Sequence, residues 1–429
     1  MKKLMFRVYH AIAGVAHWAE RSFTPAGMLV LAAAILSGVF GIDTTQSTAY
    51  RMFAFLLLLL ACALIGTRWR RGRFAVERLL PKVASIGETF EYRLRVRNLS
   101  PGVARALNLR DELADPRPGY RQFSTSLKWP SYRGWWRLTE RNRIGRVAPR
   151  DIDDLEAGAA VELRLSAQAL RRGRMHFTGV TIGCDETLGL ARGLATVAHE
   201  QNLIVLPRRY ALPALALPGG RRYQQGGVSL ASSVGDSEEF IGLRDYRPGD
   251  PLQRVHWKSF ARLGRPVVRE YQDEYFERYA LILDTFAAAD QIEAFEEAVA
   301  VAASFACTID TQECMLDLMF VGAEPYTYTA GRGQLQAGSL LEVLAGVTLC
   351  SDKPFSVLAA ALGERAAGLS GCVCILIGWD RERAALIDSL RARGSALRVL
   401  CVSAAPIADA PPWLKQLVPG QVQQGLAAL

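Results

Sequence analysis

Tyr279-Ala-Leu-Ile-Leu-Asp284 is a short, uninterrupted apolar run closed by a carboxylate, and the segments after it decide how it is read. Gln291 to Cys307 repeats apolar side chains at helical spacing, Met315 to Val321 is a second apolar run, and Phe355 to Ala367 is again helical in pattern. Cys372 to Ile377, Asp380 to Arg393 and Leu397 to Val402 continue as strand, helix and strand. Strands without polar alternation are covered on both faces, so this half of the chain predicts an α/β fold with a mostly parallel, doubly wound sheet. Ligands of such sheets bind beyond the carboxyl ends of the strands. Asp284 and Asp380 stand at those ends and are the first candidates for a site there.

Upstream the period shortens to two. Thr89-Phe-Glu-Tyr-Arg-Leu-Arg-Val-Arg97 alternates apolar and polar side chains and runs into Asn98-Leu-Ser-Pro-Gly102, a turn signal. Val161-Glu-Leu-Arg-Leu-Ser166 and Met175-His-Phe-Thr-Gly-Val-Thr-Ile182 alternate again. No long amphipathic helix is expected between Phe74 and Leu206, so this stretch predicts an antiparallel, β-sandwich-like domain. Trp129, Tyr132, Trp135 and Trp136 interrupt it among Arg133, Arg137 and Arg141. Aromatics interleaved with arginines are able to stack on nucleic-acid bases. The expected use here is instead a hairpin that covers the sandwich, or a protein-contact surface.

Two apolar runs precede the β region. Pro25 to Ile42 is eighteen residues without a charge, and Met52 to Thr67 is a second uncharged run that contains five consecutive leucines, Leu56 to Leu60. At about 1.5 Å of rise per residue, each approaches the roughly 30 Å thickness of a bilayer's hydrocarbon. Tyr50 and Trp69 sit where interfacial aromatics belong. Lys2, Lys3, Arg7 and Arg21 precede the first run, and Arg68, Arg70, Arg71 and Arg73 follow the second. This bias places both flanks on the cytoplasmic side of a two-helix membrane hairpin. A cleaved leader fits less well, because a second apolar run follows at once. Nearer the N-terminus, Leu4, Val8, Ala11, Ile12 and Val15 share one helical face. That suits a helix on the membrane surface or one packed on the protein's own body.

The 429 residues carry 51 Lys and Arg against 42 Asp and Glu, a net charge of +9. Residues 1–73 hold nine of the basic side chains against Glu20 and Asp43, so +7 of the excess lies there and the remainder is within +2 of neutral. Phosphate neutralisation needs basic residues concentrated on a surface, which disfavours a nucleic-acid-binding body. The eight cysteines form no Cys-x-x-Cys pair and lie mostly in apolar runs, so reduced core thiols are expected. Cys372 and Cys374 would turn to one face of their strand. Neither G-x-x-x-x-G-K-[ST], H-E-x-x-H nor G-x-S-x-G occurs, and there are five histidines.

The densest chemistry lies between the two soluble regions. Between 236 and 274, seven basic residues (Arg244, Arg247, Arg254, Lys258, Arg262, Arg265, Arg269) meet eight acidic ones, mixed with Phe240, Tyr246 and Trp257. Balanced charges of this kind suggest an ion-pair network in which arginine holds carboxylates bidentately and stacks on rings. A clamp joining the two soluble domains is the first expectation and a partner-docking surface the second. A catalytic site on Asp250, His256 and Glu270 stands behind both, with His256 as a base oriented by a carboxylate.

The same segment closely resembles the signature of the DUF58 proteins, a family of bacterial membrane-anchored proteins. The family pattern, roughly G-x-x-E-F-x-x-L-R-x-Y-x-x-G-D-x-x-R-x-I-x-W, is matched by Gly235, Glu239, Phe240, Leu243, Arg244, Tyr246, Gly249, Asp250, Arg254 and Trp257, with Val255 where Ile is usual. Ala261-Arg262 and Val268-Arg-Glu270 continue it, and upstream Arg171-Arg-Gly-Arg174 and Asp185-Glu-Thr-Leu-Gly-Leu190 resemble further family stretches, the latter loosely. The resemblance implies a von Willebrand factor A-like C-terminal domain. Such domains often hold Mg²⁺ through D-x-S-x-S at a strand end; here the stretch is Asp284-Thr-Phe-Ala-Ala288, which lacks both serines. A hard cation needs several oxygen ligands, so no metal and no cofactor are expected, Asp284 and Asp380 being the weak candidates.

The resemblance also implies association with MoxR-type AAA+ ATPases and transglutaminase-like membrane proteins. The organisation expected is an anchor with its amphipathic N-terminus (1–73), an antiparallel β domain (74–206), a linker with the signature segment (207–278) and the von Willebrand A-like α/β domain (279–429). The functional expectation is an inner-membrane scaffold or adaptor, not an enzyme. Both termini and the soluble domains would face the cytoplasm and bind a protein partner, such as a MoxR-type ATPase, in an assembly or envelope-stress system. Glu239, Phe240, Arg244, Tyr246, Asp250, Arg254, Trp257, Arg262 and Glu270 are the candidate contact residues. The alternative is a hydrolase acting on a peptide or envelope substrate.

Overall fold

A computed structural model describes residues 2–40, 47–69, 72–127, 129, 131–213, 238–250, 252–273, 277–288, 291–309, 314–322, 324–330, 337–365, 369–407 and 410–429; within these, the side chains of residues 40, 47, 238–241, 270–273, 277, 337, 364 and 365 lie outside the description. The protein mixes helix and sheet and divides into two compact units, residues 1–208 with 341–347 and residues 209–340 with 348–429.

The first unit opens with three helices: α1 (Lys2–Ser22), α2 (Pro25–Phe40) and α3 (Ser47–Gly66). Their small and branched side chains Ala34, Leu56, Leu60 and Ala63 pack together with Phe23 in one cluster. Twenty residues at about 1.5 Å each make α3 about 30 Å long. Among the described helices it is the one long and apolar enough to cross a membrane, and α2 is a shorter apolar helix. α1 packs through Phe6, whose ring lies 5.4 Å from Tyr120 and 5.5 Å from Trp135, and through Tyr9, 5.7 Å from Tyr132. Of the two uses expected for the stripe Leu4, Val8, Ile12 and Val15, packing on the protein's own body is not the one taken, for these side chains are exposed.

The β region follows as β1 (Phe74–Leu79), β2 (Val83–Ser85), β3 (Thr89–Asn98), β4 (Leu107–Leu113), α4 (Tyr120–Ser126), α5 (Tyr132–Asn142), β5 (Gly145–Val147), β6 (Arg150–Ile152), β7 (Ala160–Ala169), β8 (Gly173–Asp185) and β9 (Arg192–Leu206). Two sheets form, in the orders β1-β3-β7-β5 and β2-β9-β8-β4-β6. The alternation read from the sequence works as expected: Tyr92, Leu94 and Val96 of β3 and Leu165 and Ala167 of β7 turn inward, and meet Leu107, Leu109, Phe177, Ile182 and Leu203 of the other sheet in one core. Each fully buried Leu, Ile or Phe contributes roughly 1.5–3 kcal/mol. The core also encloses charge. Arg78 and Asp111, both without side-chain exposure, join through Nε–Oδ2 at 2.9 Å and Nη2–Oδ1 at 2.5 Å. Tyr92 donates its hydroxyl to Asp111 at 2.6 Å.

The segment containing Trp129, Tyr132, Trp135 and Trp136 is not a hairpin. Ser131 caps a helix, its Oγ accepting from the Gly134 N–H at 3.1 Å, and α5 follows. Trp135 is buried against Phe6 and Phe123, whereas Trp129 and Trp136 are exposed. The β8–β9 turn holds the foot of α2. Glu186 accepts from the Leu188 and Leu190 N–H groups at 2.6 and 2.9 Å, and the Thr24 N–H donates to the Leu190 carbonyl at 3.0 Å. A Cβ on Gly27 would lie 1.8 Å from that carbonyl oxygen, so the approach requires glycine.

The second unit contains β10 (Glu238–Asp245), α6 (Trp257–Leu263), β11 (Val267–Asp273), β12 (Glu277–Leu283), α7 (Ile292–Thr308), β13 (Cys314–Val321), β14 (Pro325–Ala330), α8 (Ala337–Gly346, whose residues from Leu341 fall in the first unit), α9 (Ser356–Arg365), β15 (Gly371–Ile377), α10 (Arg381–Ala392), β16 (Ala396–Val402), β17 (Leu414–Leu417) and α11 (Val422–Ala427). Among the described residues, β10 and β11 form a two-stranded antiparallel sheet. The other strands make a six-stranded sheet in the order β14-β13-β12-β15-β16-β17. All its neighbours run parallel except β13 and β14. Every residue of β15 is buried, as the apolar run predicts for a strand covered on both faces. None of the eight cysteines is in a disulfide: Cys62 and Cys307 are exposed and the other six buried. Burial pushes the Cys372 and Cys401 thiols up to about 12.

Candidate functional site

Asp284 follows the last residue of β12 and is fully buried. Its Oδ1 accepts from the Phe286 N–H at 2.8 Å, and its Oδ2 from the Ile377 N–H at 3.0 Å and from Arg383 Nε at 2.7 Å. Burial pushes this carboxyl upward, against the pull of Arg383 and the two backbone N–H groups. Asp380 caps α10, accepting from the Arg383 N–H at 2.9 Å, and its other oxygen bonds the same guanidinium. The remaining Arg383 nitrogen donates to the Phe286 carbonyl at 2.6 Å, and the guanidinium lies 5.0 Å over the Phe355 ring. The two carboxylates are thus brought together around an internal cation.

The magnesium that von Willebrand factor A domains often hold does not fit these residues. Both oxygens of Asp284 are engaged, and the Thr285 hydroxyl turns away to donate to the Val321 carbonyl at 2.6 Å. Phe286 is buried against Phe355 where a hydroxyl would be needed. An octahedral oxygen shell is replaced by one guanidinium, a group that cannot lose its charge in a protein.

The signature segment folds as β10, a turn, a short 3₁₀ helix (Leu252–Arg254), α6 and β11. Arg244 opposes Val268 across the two strands. Its two terminal nitrogens hold the two oxygens of Asp250, each at 2.7 Å, a bidentate pair. Asp250 also accepts from the Arg247 N–H at 2.8 Å, closing the Arg247-Pro-Gly-Asp250 turn, in which Gly249 has φ +108. The Arg244 guanidinium and that N–H pull the Asp250 carboxyl down to about 2. Gly264 ends α6 in the left-handed conformation, with its N–H on the Phe260 carbonyl. Arg265 reaches Asp245 at 3.0 Å. His256 stands before α6 with Nδ1 2.7 Å from Ser259 Oγ.

Of the candidate residues, Arg244 and Asp250 are therefore brought into contact, whereas His256 and Asp250 have other partners. Tyr246 is half-buried after β10; Arg254, Trp257 and Arg262 are exposed on the 3₁₀ helix and α6. Glu239 and Phe240 lie on β10 opposite Gln272 and Tyr271, and Glu270 lies on β11 opposite Gly242. The side chains of these three, and Gly235 altogether, are outside the described residues. The segment is only in part the internal ion-pair network expected of it. Leu243, Leu252, Trp257, Phe260 and Leu263 are 36–67% exposed, and none of the α6 residues is buried. Sequence reasoning missed Arg383 and the Arg78–Asp111 pair. Arg78 and Asp111 were detectable: each falls in phase with inward apolar positions, Phe74 and Val76 for one, Leu107 and Leu109 for the other.

No protein-family model matches the chain. The uncharacterized protein YeaD of Bacillus subtilis (strain 168) is 26% identical over 178 residues, covering 41% of this chain and 42% of that protein. The chain thus spans less than half the length of that relative. Among solved structures, Salmonella alpha-2-macroglobulin is 15% identical over 34% of this chain and 8% of its own, with a TM-score of 0.20. A FixG-related protein from Vibrio parahaemolyticus is 12% identical over 31% of this chain and 95% of its own, with a TM-score of 0.19. Likenesses this slight carry no argument about what the chain does.

Proposed function

We propose that the chain is a membrane-anchored protein of the DUF58 type that serves as a cytoplasm-facing scaffold or adaptor. α3 has the length and hydropathy of a membrane span, and α2 beside it exposes Leu29, Ile35, Leu36 and Val39. Together they suit a two-helix anchor in the bacterial inner membrane, with the exposed stripe of α1 along the lipid surface. The parallel strand order and the carboxylates at the strand ends support a von Willebrand factor A-like domain for residues 279–429. In that reading, Arg383 makes the domain independent of divalent cations.

The observation that carries the function is the exposure of five apolar side chains, Leu243, Leu252, Trp257, Phe260 and Leu263, on one segment braced by the Arg244–Asp250 pair. Exposed aromatic and aliphatic side chains beside arginines are what the centre of a protein interface uses, tryptophan and arginine above all. The partner proposed is a MoxR-type AAA+ ATPase, with a transglutaminase-like membrane protein in the same assembly or envelope-stress system. Catalysis by Asp250, His256 and Glu270 has less support, because Asp250 is held by Arg244 and His256 by Ser259.

Capture of a purified MoxR-type ATPase by the full-length protein in nanodiscs tests the reading. Trp257→Ala should weaken capture by about tenfold or more, and Arg244→Ala should also weaken it, with the melting temperature of Trp257→Ala unchanged. No capture by the wild type, or equal capture by the Trp257 variant, would refute it.

A further inference from the structure

We propose that the outer faces of α1, α4 and α5 form one surface for anionic phospholipid, which seats the β domain on the membrane beside the anchor. The inference rests on the anchored reading above and names the lipid that this reading leaves open. After residue 73 the chain as a whole is near neutral, but one stretch of it is not. From the start of α4 to the end of β5, residues 120–147, seven Lys and Arg stand against one carboxylate, Glu140. Residues 1–19 add Lys2, Lys3 and Arg7, with no carboxylate among them.

The fold brings these two basic stretches together. Phe6 and Tyr9 of α1 lie against Tyr120, Phe123, Tyr132 and Trp135. Lys2 Nζ donates to the Ser124 and Leu127 carbonyls at 3.2 and 2.9 Å, closing the C-terminal end of α4. Tyr120 and Tyr132 touch α1 and are still exposed, so the outer faces of the three helices meet along this seam. At about 100° per residue, Arg133, Arg137 and Arg141 fall in a row along α5, one to a turn. Trp136 stands beside them, and Trp135 and Leu138 lie on the buried side. Glu140 is held by Arg143 and Arg146. Among the described residues, Lys3, Arg7, Arg121, Arg133, Arg137 and Arg141 are thus exposed and hold no ion pair. Apolar side chains stand among these cations: Leu4, Val8, Ile12 and Val15 on α1, with Trp129 82% and Trp136 54% exposed.

This composition defines the partner. Cations without counter-charges require an anion, and the aliphatic and tryptophan side chains require apolar matter just beneath it. An anionic leaflet offers both in that order, phosphates outside and acyl chains below, with tryptophan favoured at the boundary. A nucleic acid offers phosphates and stacking, but nothing for four aliphatic side chains. Position agrees with chemistry, because only Phe23 and Thr24 separate α1 from α2, the first helix of the proposed anchor. Each Lys or Arg near an anionic leaflet strengthens association about fivefold. Lipid composition, and not the anchor alone, therefore decides whether this face is seated.

Full-length protein is reconstituted in nanodiscs of phosphatidylcholine, with and without phosphatidylglycerol, and footprinted with hydroxyl radicals read by mass spectrometry. Oxidation of Trp129 and Trp136 should fall about tenfold or more when phosphatidylglycerol is present, and high salt should restore most of it. Neutralising the row on α5 (Arg133→Gln with Arg137→Gln and Arg141→Gln) should abolish the protection, while Lys82→Gln, between β1 and β2, leaves it in place. If the triple variant misfolds, the salt reversal in the wild type decides. Equal oxidation in the two lipids, by protein that has entered the nanodiscs, overturns this inference and leaves the anchor standing. Protein that enters neither nanodisc overturns the anchored reading, and this inference with it. Protection by single-stranded RNA in phosphatidylcholine nanodiscs, with none from phosphatidylglycerol, assigns the face to nucleic acid and overturns the proposal.

Discussion

Removing the Arg383 guanidinium would leave the Asp284 carboxylate fully buried, with two backbone N–H groups and no counter-charge. Breaking one side of a buried pair costs about 3–5 kcal/mol, whereas replacing both partners by neutral groups costs far less. Arg383→Met should therefore lower the melting temperature sharply, and adding Asp284→Asn should recover much of the loss, a coupling that a double-mutant cycle of thermal melts measures. Asp250 behaves differently because it is near the surface. Its carboxyl is lowered from 3.8 to about 2, so the pair with Arg244 stabilises the turn above the ordinary carboxylate range and is lost as pH falls through 2. Carboxyl carbon shifts of Asp250 should titrate near 2, and near the ordinary value in Arg244→Gln. The aspartates at the strand ends were legible in the sequence, because a polar residue closing an apolar strand is a local signal. Arg383 was not, because its partner lies 99 residues upstream and its own position reads as an ordinary first turn of an exposed helix.

At the scale of the element, the foot of α2 shows how a turn and a helix fix one another. Glu186 spends both oxygens on the β8–β9 turn, and that turn presents the Leu190 carbonyl to Thr24. Gly27→Val would put side-chain atoms where that carbonyl stands, so α2 must move away. Faster amide exchange at Thr24 and Leu190, with the exchange of β3 and β7 unchanged, is the expected outcome. The strands were legible because alternation and unbroken apolar runs are properties of a few consecutive residues. α5 was hidden because its buried stripe is only Gly134, Trp135, Leu138 and Thr139. What covers Trp135 includes Phe6, from a helix more than a hundred residues earlier. For α1 the apolar stripe was visible, but no local rule says that the aromatic face, and not the aliphatic one, would turn to the body.

At the scale of the molecule, two units with separate cores have separate reasons to melt. The Arg78–Asp111 pair lies in the core of the first and the Asp284–Arg383 pair in the second. Calorimetry should resolve two transitions. Asp111→Asn should lower one of them and Arg383→Met the other; a single transition moved by both variants would show one cooperative body. The distribution of sulfur gives such work a convenient handle. With six thiols buried and Cys62 and Cys307 at the surface, a maleimide dye has two places to react in the native protein. One lies on the greasy third helix, where detergent or lipid would shield it, and the other on α7 of the second unit. Low reactivity of Cys62 relative to Cys307 in vesicles would therefore report immersion of that helix without any engineered residue, with Cys307 as the internal standard.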